Sequence, residues 1–158
     1  MNIYDKYKSR GNSPSALFIE GTHQYEFAKE IITSGSVLDV GAGFCTLKDW
    51  LPKEVQYMGI DATEWVADSG SAFHCDVMDY KGNQVDYVCA FGIFESFTDL
   101  KPLAIKLKSL TKKTILFTFN EHTGSSFNSH SKKEVLDAFG ECEFVDKVKG
   151  EVIGRYDL

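Results

Sequence analysis

Short apolar runs alternate along this chain with stretches in which apolar residues recur every three to four positions. Ser36 to Val40 and Gln56 to Ile60 have the character of strands, and Thr46 to Leu51 between them reads as a short helix that Pro52 stops. Strand, helix, strand predicts a parallel crossover. Thr63 to Asp68 is a weak helix or turn and Ala72 to Cys75 a short strand. Val85 to Phe91 is a nearly continuous apolar strand, suited to burial on both faces and so to a place near the sheet centre. Leu100, Leu103, Ala104, Leu107 and Leu110 then form a helical stripe with Pro102 in its first turn. Thr114 to Phe119 returns as a β-branched and aromatic strand.

The two ends of this alternation carry their own signals. Gly21-Thr22 marks a helix start, Tyr25, Ala28, Ile31 and Ile32 share one helical face, and Ser34-Gly35 ends it. Ser131-Lys132-Lys133-Glu134 has the capping-box spacing, in which the serine and glutamate side chains satisfy orphan amides. It precedes Val135, Leu136 and Phe139 and a stop at Gly140. Cys142 to Val148 and Glu151 to Tyr156 alternate apolar and polar residues around Lys149-Gly150, the pattern of two strands joined by a tight hairpin. Residues 21–158 therefore predict one α/β domain whose mostly parallel sheet closes on an antiparallel pair. Residues 1–20, polar and aromatic with Gly11, Ser13, Pro14 and Ser15, read as an N-terminal arm or lid, or as an unstructured tail.

Composition narrows the picture further. A chain of 158 residues with 43% hydrophobic and 25% charged residues suits one domain with a substantial core. A net charge of -6 gives no electrostatic reason to expect nucleic acid or an anionic membrane, which favours a small molecule or another protein as partner. Cys45, Cys75, Cys89 and Cys142 are widely spaced, with no C-x-x-C pair or zinc-type histidine set, so no metal is expected and reduced, mostly buried thiols are. No leader-type apolar segment opens the chain and no run approaches the ~20 apolar residues of a membrane span; the expectation is a soluble, cytoplasmic protein.

The chemistry gathers at three successive strand ends. In a parallel sheet, ligands bind beyond the carboxyl ends of the strands where strand order reverses. The first strand ends Asp39-Val40-Gly41-Ala42-Gly43, where Gly41 and Gly43 let backbone approach a ligand closely with its amides pointing inward. Taken alone, a G-x-G turn serves strand–helix packing equally well. The second strand ends in Asp61, a carboxylate able to accept both hydroxyls of a ribose. The third ends His74-Cys75-Asp76-Val77, where Asp76 suits an exocyclic adenine amine and Val77 the ring, unless Asp76 is simply a turn aspartate. In this order the three ends match one adenosine-containing ligand.

These residues resemble the class I S-adenosylmethionine-dependent methyltransferases, whose first motif is an acidic residue followed by G-x-G after strand one. The resemblance spans the chain from about residue 21. It implies a single Rossmann-like three-layer domain with a mostly parallel seven-stranded sheet ending in an antiparallel hairpin, with S-adenosylmethionine as cofactor. It further implies that Gly41 and Gly43 approach the methionine and ribose, that Asp61 holds the ribose hydroxyls, and that Asp76 with Val77 frames adenine. Asp39 orders the turn or meets the amino group. Asp86 to Glu95 looks like the fourth-strand motif, which sets Phe91 and Gly92 beside the methionine part. Two positions depart from the family pattern: Cys45 stands where a third glycine is common, and Glu95-Ser96 replaces a frequent E-H pair. A nicotinamide-type G-x-G-x-x-G would need glycine at Thr46.

A sulfonium donor is already activated, so positioning and exclusion of water supply much of the rate and a base is optional. No triad, paired carboxylate or metal set can be assembled from the sequence, so no residue stands out as catalytic. Glu95, Asn120, Glu121 and His122 follow strands four and five on the ligand side; each reads as a solvated loop residue unless it orients an acceptor. Tyr4, Tyr7, Arg10, Phe18 and Tyr25 suit a lid, or for Tyr25 core contact. With no inserted domain, a small-molecule acceptor is favoured and a protein acceptor left open. The alternative to an active methyltransferase is a non-catalytic binding module, or one subunit of a larger enzyme.

Overall fold

The computed structural model describes residues 23–64, 72–121, 128–146 and 150–158. Its elements run α1 (His23–Ile31), β1 (Ser36–Val40), α2 (Thr46–Trp50), β2 (Gln56–Asp61), β3 (Phe73–His74), β4 (Val85–Ala90), a 3-10 turn at Phe94–Ser96, α3 (Leu100–Leu110), β5 (Thr111–Asn120), α4 (Lys132–Phe139), β6 (Glu143–Asp146) and β7 (Glu151–Asp157). The seven strands form one sheet in the order β3-β2-β1-β4-β5-β7-β6. All neighbours up to β5 are parallel, and β7 runs antiparallel to both β5 and β6. The apolar Val85 to Ala90 run is the middle strand, as its lack of polar alternation predicts.

The arm at residues 1–20, the Gly21-Thr22 helix start, most of the Thr63 to Asp68 segment, His122 and the tip of the final hairpin lie outside the described residues. Elsewhere the main difference from the sequence pattern is at β5, which begins at Thr111 and follows α3 without a loop. Its pairing with β4 shifts from Val85–Thr111 to Tyr87–Thr114, a bulge that places the extra residue at Lys112-Lys113. Those two exposed lysines break the apolar pattern, so periodicity alone starts the strand three residues late.

Alternation along the strands builds two cores. Leu38, Val40, Ile60, Val88, Ala90, Ile115, Phe117 and Phe119 face α3 and α4, whereas Val37, Cys89 and Leu116 face α1 and α2. On the first face Phe94, Phe117 and Phe139 stack, with centroids 4.9, 5.2 and 5.5 Å apart. The Phe117 ring lies over Gly154 of β7, its partner in register, where a Cβ would collide with the ring. Local signals fix the helix ends. Ser131 and Glu134 form the capping box, with Glu134 accepting from the Ser131 amide at 2.7 Å, and Asp99 caps α3 through the Lys101 amide at 3.0 Å.

Cys45 and Cys89 are buried, Cys75 and Cys142 partly so, and none of the four forms a disulfide. Among the described residues no helix is long and apolar enough to cross a membrane, and no three metal-ligating side chains gather.

Candidate functional site

Strand order reverses between β1 and β4, so the loops leaving these two strands face one another across a crevice at the carboxyl edge. The glycine turn after β1 holds Gly41 at φ +71° and Gly43 at φ +55°, left-handed conformations that side chains disfavour. A Cβ on Gly41 would collide with Cγ2 of Ile93 in the β4 loop. The close approach that requires glycine at 41 is therefore made by a side chain of the opposite loop, one the sequence reading missed. An apolar residue next to a glycine just past a buried strand is the signal for it.

The turn amides are engaged within the chain instead of projecting freely. Gly41 and Ala42 both donate to the Ile60 carbonyl, at 2.9 and 3.0 Å, and Gly43 donates to Asp61 Oδ2 at 3.0 Å. Asp61 Oδ1 accepts from the Thr63 amide at 2.8 Å. This nearly buried carboxylate thus ties the end of β2 to the glycine turn with one bond to each oxygen, which leaves further lone pairs on both. Asp76 is exposed and accepts the Met78 amide at 2.8 Å, the turn role that the sequence allowed it, while Val77 is buried in the first core. The Cys75 amide donates to the Asp61 carbonyl at 2.9 Å and brings the β3 end beside the β2 end.

Beneath the turn lies a cluster that the sequence did not show. Asp39 is buried, with Gly59 of β2 on one side in register and Cys89 of β4 on the other. Gly59 has no side chain, and the space holds Cys45 Sγ, Ala42 Cβ and the Tyr57 hydroxyl, at 2.7, 2.8 and 3.2 Å from where a Cβ would stand. Tyr57, two residues earlier on the same strand face, reaches across this gap and donates to Asp39 Oδ2 at 2.5 Å. It also shares a hydrogen bond with the Cys45 thiol. Burial raises Asp39 to about 7; the Tyr57 hydrogen bond opposes that rise and the nearby Asp61 charge adds to it. Burial and the Asp39 charge push the Tyr57 phenol well up, so it stays a donor. Cys45 adopts φ +58° and ψ +34°, the left-handed region that glycine favours.

Across the crevice, Phe91 is partly buried against the α1 core, with its ring 6.1 Å edge-on from Tyr25, which in turn stacks on Trp50 at 6.2 Å. Gly92 is exposed at φ +72° with open space where a Cβ would be, and its amide donates to Thr118 Oγ1 at 2.8 Å. Glu95 is not a solvated loop residue: it is 8% exposed and accepts from Asn120 Nδ2 at 2.9 Å. Asn128 donates through both its amide and its side chain to the Glu95 carbonyl at 3.1 Å, and buried His130 bonds the Phe94 carbonyl through Nε2 at 3.0 Å. Asn128 and His130 lie 33 and 36 residues beyond their partners, a separation that only the folded chain bridges. Together they pin the β4 loop to the end of β5.

No protein-family model matches the chain, and no curated protein sequence matches it. Solved structures do. Magnesium protoporphyrin IX methyltransferase ChlM from Synechocystis PCC 6803, with bound SAH, superposes at TM-score 0.78 with 14% identity over 98% of this chain and 97% of that one. The N-methyltransferase NodS from Bradyrhizobium japonicum WM9, in complex with SAH, gives TM-score 0.78 at 9% identity over 99% and 98%. A complex of the Haloferax volcanii Trm112 methyltransferase activator with a putative methyltransferase gives 0.72 at 14% identity over 98% and 97%. A seven-stranded sheet in this order, with its antiparallel end pair and the crevice between β1 and β4, is the class I S-adenosylmethionine-dependent methyltransferase fold, and that is the fold of this chain.

Proposed function

We propose that the chain binds S-adenosylmethionine in the crevice between β1 and β4 and transfers its methyl group to a small-molecule acceptor. The observation that carries this reading is the Asp61 carboxylate, which closes the glycine turn through the Gly43 amide at 3.0 Å and keeps lone pairs for ribose hydroxyls. The open space at Gly92 also fits a bound group, since no side chain fills it. In this reading Gly41 and Gly43 line the donor, Asp61 holds its ribose, Asp76 and Val77 frame adenine, and Phe91 and Gly92 flank the methionine part. Asp39 orders the turn or meets the amino group. S-adenosylmethionine supplies a methyl group on an activated sulfonium, so the chain's own residues need only orient the acceptor and exclude water. The bonds from Thr118, Asn120, Asn128 and His130 hold the β4 loop still for that purpose. ChlM and the 1,6-didemethyltoxoflavin-N1-methyltransferase of Burkholderia thailandensis, both of this fold, are named for small-molecule substrates, which supports the same class of acceptor. A soluble cytoplasmic protein accords with this.

Calorimetry with S-adenosylmethionine, comparing the parent with Asp61→Ala, tests the donor site. Binding by the parent with a loss of tenfold or more in the variant is expected, and equal binding by both refutes the role of Asp61. Labelled donor incubated with cell extract, fractionated into small and large products, then identifies the acceptor class. A second reading, a subunit that works only with a protein activator, is favoured by the Haloferax complex alone. Donor binding without methylated product from the isolated chain supports it.

A further inference from the structure

Asp39 is a carboxylate removed from water in the middle of a sheet, with no cationic neighbour among the described residues to compensate it. The titratable groups bearing on it are Tyr25 from α1, Cys45 from the turn before α2, Tyr57 and Asp61 from β2, and Cys89 from β4. None of these is a cation. Lys48 of α2 bears on Cys45, and among the described residues no lysine or arginine forms an ion pair with Asp39. Tyr57 supplies the direct hydrogen bond, at 2.5 Å. That bond exists because Gly59 leaves the sheet face open for the tyrosine to lie across it. A buried carboxylate in such a setting holds its proton to higher pH than a solvated one and releases it more readily when a positive charge arrives.

We infer that Tyr57 is a positioning residue of the donor site, holding the Asp39 carboxyl beneath the glycine turn so that capture of a cationic ligand expels the Asp39 proton to solvent. The inference rests on the donor reading above and adds to it a proton and a residue. The carboxyl O–H bond breaks, the proton passes to buffer, and the electron pair stays on Asp39 as the charge facing the ligand. The ligand's positive centre is either its sulfonium or its ammonium; S-adenosylhomocysteine keeps only the second.

Calorimetric titration of the full chain with S-adenosylmethionine, in two buffers of different ionisation enthalpy, counts the protons released. With Asp39 at about 7 in the free chain, release approaches one proton per donor near pH 6 and fades by about pH 8.5, while affinity rises about tenfold from pH 6 to 8. Asp39→Asn removes both effects. Tyr57→Phe deletes a bond to the ionised form and moves the inflection to higher pH, and carboxyl NMR of the free chain shows the same upward shift for Asp39. Release with both ligands identifies the ammonium, and release with S-adenosylmethionine alone identifies the sulfonium. Binding without proton exchange overturns the coupling, and a Tyr57→Phe profile that overlays the parent overturns the role of Tyr57. Absence of binding at every pH, with the NMR shift still present, fails the donor reading instead.

Discussion

Replacing Asp39 with asparagine should stabilise the free protein, and by an amount that depends on pH. Native Asp39 titrates at about 7, where an ordinary aspartate titrates at 3.8. Between those values the native state keeps a proton that the unfolded chain has lost, so stability falls as pH rises through the window. Above neutrality the penalty is about 4 kcal/mol, at ~1.4 kcal/mol per unit for a group with almost no solvent to screen it. The asparagine side chain cannot ionise, has nearly the same shape, and still offers an oxygen to the Tyr57 hydroxyl. In urea unfolding, the advantage of the variant over the parent should grow by about 3 kcal/mol between pH 5 and pH 8, or roughly 10 °C in thermal midpoint for a domain of this size. A difference that stays flat across that range would mean that Asp39 is ionised in the native state throughout, and would refute the account of its burial.

Three further outcomes follow from the packing. Gly154→Ala drives a methyl group into the Phe117 ring and should cost about 2 kcal/mol or more in denaturant unfolding. Cys45→Gly should be more stable than Cys45→Ala by about 1 kcal/mol, because both lose the thiol but only glycine tolerates φ +58° without strain. Ser131→Ala removes the hydroxyl that accepts from the Glu134 amide and should cost about 1 kcal/mol, measured in the same way.

The glycine turn, the Asp61 carboxylate and the β4 loop meet at one carboxyl edge of the sheet, and the bonds described for them are made within the chain. Asp61 serves the Gly43 amide, Ile93 covers Gly41, and Asn120 with Asn128 and His130 steadies the loop at Glu95. In the donor reading, the ligand then meets a frame whose geometry is already set, which lowers the ordering cost of binding.

The order of elements, the capping box at Ser131, the parallel crossovers and the closing antiparallel pair were legible in the chain because periodicity, caps and turns depend on residues within a few positions of one another. The strand-end positions of Asp39, Gly41, Gly43, Asp61 and Asp76 were legible for the same reason. What those side chains touch was not. Tyr57 reads locally as one more strand residue, and only the register of β1 against β2 brings its hydroxyl to Asp39 across the gap at Gly59. Ile93 meets Gly41 because β4 lies beside β1, and Glu95 leaves solvent because a segment more than thirty residues later returns to bond its backbone. Short-range sequence determined which elements form and where their ends fall. Tertiary pairing, acting between residues far apart in the chain, decided which groups are buried, bonded and poised to titrate.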